Sequence, residues 1–329
     1  MTARLRGVAL TPMETRRDVI VRAAVLADEL GFASFSVPEG WGLDSSPVLT
    51  EIALRTTGIK LVSAIVSVWG RTPATIAMTA ATLHQICEGR YILGLGASTK
   101  ALAEGFHDVA FEHPAAKLRD TVTKVRALLD GEPARLDRDA LVRPLRLGQP
   151  PAPEVPIWVA ALGEHSVRVA AETADGWIPA LVARDRLPAW KERVSGLRDP
   201  AAPPLAVATG PIAVADDNAR HARDMAASCT AWYLTAMGDV YATSVSSQGY
   251  ATEVKTIIAA NPRPSPRHGI VPADAQVVLD QLAVCGTPNQ VREQLEPWDE
   301  ATDTASIIVP PGLPWSAIEA TIRAAAPGA

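Results

Sequence analysis

YILGLGAS, residues 91–98, is the stretch from which the architecture can be read. Tyr91 and Ile92 favour extended backbone, and Leu93 and Leu95 add apolar bulk. Gly94, Gly96, Ala97 and Ser98 then leave almost no side chain at the C-terminal tip. A short apolar run that follows a helical stretch and ends bare reads as a buried strand opening onto a site. Backbone without side chains there admits a flat ligand.

The same strand-then-helix unit recurs on both sides of it. Upstream, strands are predicted at 5–10, 32–37 and 60–68, and helices at 15–30, 47–57 and 73–87. Pro47 and Pro73 start the second and third helices, and Gly31 and Gly58 end the first and second. Downstream, a helix over 113–129 ends at Gly131, and the proline-rich segment 132–155 breaks the rhythm as an excursion, with a short side strand at 140–147. The alternation resumes with strand five at 157–162, a helix at 163–174, strand six at 176–181 and strand seven at 205–215, interrupted by Gly210-Pro211. A mostly helical stretch, 216–282, exceeds one crossover and reads as an insertion after strand seven. Thr287 and Pro288 then cap and start a helix before the last strand, 306–309.

Eight strands alternating with helices predict a parallel sheet, and a closed (β/α)8 TIM barrel in one domain over 1–329 accommodates that count. A doubly wound open sheet is the alternative. In either case ligands bind at the C-terminal ends of the strands.

Composition narrows the function. With 329 residues, 48% of them hydrophobic, the chain can bury roughly 75% of its unfolded surface. A net charge of −5 without a block of basic residues argues against nucleic acid or an anionic membrane as partner. Cys87, Cys229 and Cys285 lie far apart and predict reduced thiols. With no secretory-type start and no apolar run of about 18 residues, the expectation is a soluble cytoplasmic protein.

At the predicted strand ends, Glu39 is the one carboxylate on the first four tips, a candidate catalytic acid or simply an arginine partner. Trp41, Trp69 and Trp177 stand at or near strand ends and could wall a substrate pocket or pack. Gly163-Glu164-His165-Ser166 follows strand five directly, so free N–H groups at a helix start could receive phosphate. A tight turn that needs glycine only for its geometry reads almost as well. His107, His113 and His165 have no metal-ligand spacing, and no metal site is predicted.

Together these blocks resemble the bacterial luciferase-like monooxygenase superfamily, specifically its actinobacterial branch that uses the deazaflavin coenzyme F420. The likeness rests on ADELGF with SVPEGWG, SVWGRTPATIAMTAATLHQICEGRYILGLGAS, FEHPAAKLRDTVTKVRALLDGE, PIWVAALGEHSVRVAAETADGWIP and LDQLAVCGTPNQVREQL before SIIVPPG. It implies an oxidoreductase, a barrel with an insertion after strand seven, and a non-prolyl cis peptide in a bulge of strand three, matched here to Ser67-Val68. It further implies that Gly96 and Ala97 flank the cofactor ring, that Leu162, Gly163, Glu164 and His165 hold its phosphate, and that Arg71, Lys100 or Arg168 attract an acidic tail. A small-molecule substrate and a homodimer are also expected.

The chain departs from the resemblance at two positions. Gly40 follows Glu39 where relatives commonly have histidine, and Gly96-Ala97-Ser98 stands where related dehydrogenases carry glutamate. These departures favour reduction of a small organic substrate, with water or Glu39 supplying the proton. The alternatives are an FMN-dependent monooxygenase served by a flavin reductase, and a barrel that binds ligand without catalysis.

Overall fold

A computed structural model describes residues 4–136 and 142–328. Its strands are β1 (Arg6–Leu10), β2 (Ser34–Val37), β3 (Lys60–Ser67), β4 (Tyr91–Gly96), β5 (Ile157–Ala160), β6 (Gly176–Trp177), β7 (Ala206–Thr209), β8 (Ile212–Ala215), β9 (Ala283–Gly286) and β10 (Thr304–Val309). Strands β1 to β7 pair in order, β10 follows β7, and β10 pairs in parallel with β1 from Arg6 opposite Ala305 to Leu10 opposite Val309. That last ladder closes an eight-stranded barrel and removes the open-sheet alternative.

The helices are α1 (Arg17–Glu29), α2 (Ser45–Ala53), α3 (Pro73–Ile86), α4 (Lys100–Gly105), α5 (Pro114–Leu129), α6 (Glu164–Thr173), α7 (Leu187–Ser195), α8 (Ala219–Ala236), α9 (Asp239–Val245), α10 (Ala251–Ala260), α11 (Gln276–Leu282), α12 (Pro288–Ala301) and α13 (Trp315–Ala324). Local chemistry sets several of their ends. Thr72 caps α3 by accepting from the Thr75 N–H, with Pro73 in the first turn, and α12 opens on a reciprocal Thr287–Gln290 capping box. Helix α2 stops short of the expected 57. The Asp28 carboxylate accepts from the N–H groups of Thr57, Gly58 and Ile59 at 2.8, 2.9 and 2.7 Å, drawing that segment into the start of β3.

Strand seven is split as its Gly210-Pro211 suggested. A β-carbon on Gly210 would lie 2.2 Å from the Ser306 carbonyl oxygen, so only glycine allows this close approach, and Pro211 has no N–H to offer a ladder. Beyond the break β8 pairs with β9, a strand just past the 216–282 stretch, where none was expected. The insertion runs from α8 to α11, and α8 packs on β8 and β9. The side strand expected at 140–147 falls partly outside the described residues, and 142–147 form no strand.

The core is continuous. Val8, Phe35, Leu61, Leu93, Val159 and Ile307 are buried, as are the inward faces of the surrounding helices. Beside this core Arg6, 5% exposed, donates to Asp299 at 3.0 and 2.7 Å and to the carbonyls of Ala325 and Ala326, tying β1 to α12 and the C-terminal turn. Among the described residues no helix is long and apolar enough to cross a membrane, and the three cysteines are free and buried.

Candidate active site

The strand tips enclose a cavity of about 270 Å³. Its bed forms where β3 departs from regular pairing with β4: Ser63 opposes Leu93, the next pair is Val66 with Leu95, and Ala64 and Ile65 together oppose the single residue Gly94, one residue in excess. The peptide bond between Ala64 and Ile65 is cis. The expectation of a cis bond at Ser67-Val68 is therefore corrected. The bulge lies nearer the barrel interior, because Ser67 is already back in register opposite Gly96 and the Val68 N–H donates to the Gly96 carbonyl at 3.1 Å.

Ser63 anchors this bulge. Its hydroxyl accepts from the Gly94 N–H at 3.1 Å and lies 2.9 Å from the Tyr91 hydroxyl, all of it buried. The bare β4 tip then takes part directly. Gly96 and Ala97 line the cavity, and a β-carbon on Gly96 would come within 2.9 Å of the Ile65 side chain. Small residues here keep the bed open.

The sequence-predicted residues divide into two groups. Glu39, Trp41, Gly96, Ala97, Leu162 and Gly163 line the cavity. Ser67, Val68, Glu164, His165, Trp69 and Trp177 do not. Ser67 and Val68 are buried behind the bed, and Glu164 and His165 are exposed on the first turn of α6. Trp69 donates its indole N–H to the Ala97 carbonyl at 2.6 Å, steadying the β4 tip, while its ring meets Phe111 at 5.4 Å. Trp177 is fully buried, donates to the Ala161 carbonyl at 2.8 Å and stacks parallel on Trp190 at 6.1 Å, bracing the end of β5. Trp41, 46% exposed, stands at the cavity rim.

Glu39 is clamped. Arg71 donates to its two carboxylate oxygens at 2.5 and 2.6 Å and also pairs with Asp44 at 2.9 Å, and this hydrogen-bonded pairing raises the guanidinium above its ordinary value. Both oxygens of Glu39 are thus turned to a partner rather than to a ligand. Glu39 is also the single charged side chain among the described residues lining the cavity. The other cations proposed for an acidic tail have carboxylate partners on their own helices, Lys100 with Glu104 at 3.6 Å and Arg168 with Glu172 at 3.9 Å.

Three groups of lining residues escaped the sequence reading. Trp158 on β5 projects into the barrel between Gly94 and Gly176, its neighbours in register on the two flanking strands, and a β-carbon on Gly176 would strike its indole at 2.4 Å. Alternation along β5 carried that signal, since Ile157 and Val159 pack outward and are buried while Trp158 and Ala160 face in. Ser34, Ser36 and Ser306 form a hydroxyl-bearing inner wall. The insertion supplies Tyr233, Met237, Val240 and Tyr241, which no local pattern could have placed over the strand ends.

A closed barrel with a long insertion after strand seven is the architecture that the sequence blocks implied. Residues 4–305 match the family described as luciferase-like monooxygenase. The chain belongs to that family. Its class of chemistry is accordingly oxidoreduction.

A Mycobacterium tuberculosis protein whose name proposes it as a coenzyme F420-dependent oxidoreductase is 26% identical over 86% of this chain and 88% of its own length. The 5,10-methylenetetrahydromethanopterin reductase of Methanolobus tindarius is 25% identical over 84% of this chain and 85% of its own. Among solved structures, the coenzyme F420-dependent tetrahydromethanopterin reductase of Methanopyrus kandleri superposes with a TM-score of 0.77 at 19% identity, covering 98% of both chains. At that identity the structural likeness speaks for the fold.

Proposed function

We propose that this luciferase-like chain is an F420-dependent oxidoreductase that passes hydride between C5 of the deazaflavin and a small uncharged organic substrate, working as a reductase. The observation that carries this reading is the cavity: a flat bed of Ala64, Ile65, Gly96 and Ala97, apolar walls, and one charged side chain that is already paired. Support for F420 within the flavin-type cofactors comes from the names of relatives aligned over more than four fifths of the chain.

The residues present fit such a group. The β4 tip, where a side chain on Gly96 would press on Ile65, leaves room for a planar ring. Helix α6 begins at Gly163 without a side-chain cap, so its first N–H groups are free to meet a phosphate at the positive helix end. Ser166 turns its hydroxyl back to the Gly163 carbonyl at 2.8 Å, holding that turn closed. When bound, the deazaflavin supplies a hydride donor or acceptor at C5. The chain supplies binding and orientation from the bed, and the insertion residues over the strand ends exclude water.

Direction follows from what the lining lacks. Alcohol oxidation needs a base beside the hydroxyl, and the described lining holds no histidine and no carboxylate other than clamped Glu39. Reduction needs a proton donor instead, which a hydroxyl or water can be. Titration with F420 and with FMN tests the reading. Saturable F420 binding followed by substrate-dependent oxidation of reduced F420 is expected, whereas tight FMN binding with no F420 binding would sink it.

A further inference from the structure

The insertion brings two phenols to a cavity otherwise bounded by strand ends. Tyr233 lies near the end of α8, a helix packed on β8, β9 and α10, so its position is set by a long, supported element. The residue is 6% exposed and lines the cavity. Its hydroxyl makes no hydrogen bond with the described residues, and it is absent from the polar atoms sealed without a partner, so the oxygen keeps contact with open space. Three of the other lining hydroxyls have protein partners: Thr209 donates to the Pro179 carbonyl, Ser166 donates to the Gly163 carbonyl, and Thr99 accepts from the Leu102 N–H at the start of α4. The Tyr241 ring meets Tyr233 edge to face, 5.3 Å between centroids at 84°, and buttresses it.

Burial pushes the Tyr233 phenol well above its ordinary value near 10, with Cys229 and Tyr241 adding to the shift. It therefore remains protonated across any working pH and can donate. Tyr233 lines the same cavity as the Ala64–Ile65 bed, and no cation stands among the described lining residues.

We infer that the Tyr233 hydroxyl is the hydrogen-bond and proton donor to the carbonyl oxygen of an uncharged ketone or aldehyde bound in this cavity. The inference deepens the reductase reading and rests on it for the chemistry. With a reduced 5-deazaflavin as the named reductant, hydride adds to the carbonyl carbon, the C=O π pair moves to oxygen, and that oxygen takes the proton as the Tyr233 O–H bond breaks. Water then returns a proton to the phenolate. The carbonyl compound is reduced to an alcohol, and the deazaflavin is oxidised by two electrons.

The test compares acetophenone with α-methylstyrene, a near-isostere in which CH2 replaces the oxygen, binding to the folded protein carrying whichever of F420 or FMN it accepts. The readout is the ratio of the two affinities, obtained by ligand-observed NMR without turnover. Tyr233→Phe should lower the acetophenone preference roughly three- to tenfold, the worth of one hydrogen bond, while Tyr250→Phe, which lies outside the cavity and bonds Asp185, leaves it unchanged. An unchanged ratio in folded Tyr233→Phe, an equal fall in Tyr250→Phe, or no acetophenone binding by the wild type would overturn the inference. Should Tyr233→Phe not fold, 3-fluorotyrosine at 233, a stronger donor, should raise the ratio, and no change would count against it. Failure of the F420 reading shows separately, in the cofactor titration.

Discussion

Gly94→Ala probes the link between the β4 strand and the cavity bed. A β-carbon at Gly94 would stand 2.0 Å from the Ser63 carbonyl oxygen, 3.2 Å from its carbonyl carbon and 3.4 Å from Ile178 Cδ1. Ordinary contact requires the Ser63 carbonyl to withdraw by roughly 1.4 Å. Ser63 is not free to do so, because its hydroxyl is bonded to the Gly94 N–H and to Tyr91, and the residue leads directly into Ala64 and Ile65. Overpacking of this kind costs about 1–3 kcal/mol, and a broken buried hydrogen bond adds about 1–3 kcal/mol. The alanine restricts the unfolded chain and returns about 0.4–1 kcal/mol. The net expectation is a loss of about 1–5.5 kcal/mol in urea unfolding, with affinity for the proposed F420 cofactor reduced more than about tenfold because the bed moves with Ser63. Gly105→Ala, at the end of α4 with nothing within 4 Å, is the control and should gain about 0.4–1 kcal/mol with affinity unchanged. A Gly94→Ala protein with wild-type midpoint and wild-type affinity would refute the argument that this close approach shapes the site.

Four further outcomes follow from named contacts. Burial alone would raise the Glu14 carboxyl, but the side-chain hydrogen bond from Arg16 and the backbone N–H groups of Arg16 and Gly312 together hold it below its ordinary value of 4.5. A lowered folded value means that this stabilisation is full above about pH 4.5 and is lost as the pH falls through the folded value. Glu14→Gln should therefore destabilise at neutral pH, by about 1–3 kcal/mol, and flatten the acid limb of a pH–stability curve. A double-mutant cycle on Glu39→Gln and Arg71→Met should give a coupling of about 1–2 kcal/mol in thermal unfolding, and additive effects would show that the clamp contributes nothing. Gly176→Ala should destabilise by about 1–3 kcal/mol through collision with the Trp158 indole, and Trp158→Ala in the same chain should relieve most of that collision, as read from unfolding midpoints. Burial pushes the Cys87 thiol up to about 11 and Cys229 up to about 12, so iodoacetamide at pH 8 should label them only after unfolding, as counted by intact mass.

Much of the barrel was legible because its signals are local. The β4 strand reads from its apolar residues and bare tip, α3 from Pro73, and α12 from Thr287-Pro288, since a cap or a first-turn proline acts within one turn of chain. Where longer contacts compete, the reading drifted. Helix α2 ended early because Asp28, some thirty positions upstream, captured the N–H groups expected to follow a longer helix. Strand β6 is only Gly176–Trp177, and after it the chain turns through Leu181, whose φ of 54° is left-handed.

By itself the sequence determined the number of barrel strands, their parallel direction, the break at Gly210-Pro211 and the uncapped glycine start of α6. Each depends on residue type and near neighbours. Only the tertiary structure decided that the bulge falls at Ala64 and Ile65, that Trp158 rather than Trp177 faces the cavity, that Arg71 holds Glu39, and that Tyr233 and Tyr241 line it from the insertion. The physical reason is closure. Register between β3 and β4, the ladder from β10 to β1, and the packing of α8 on β8 and β9 bring distant segments into contact, and no local periodicity records which side chain will meet which.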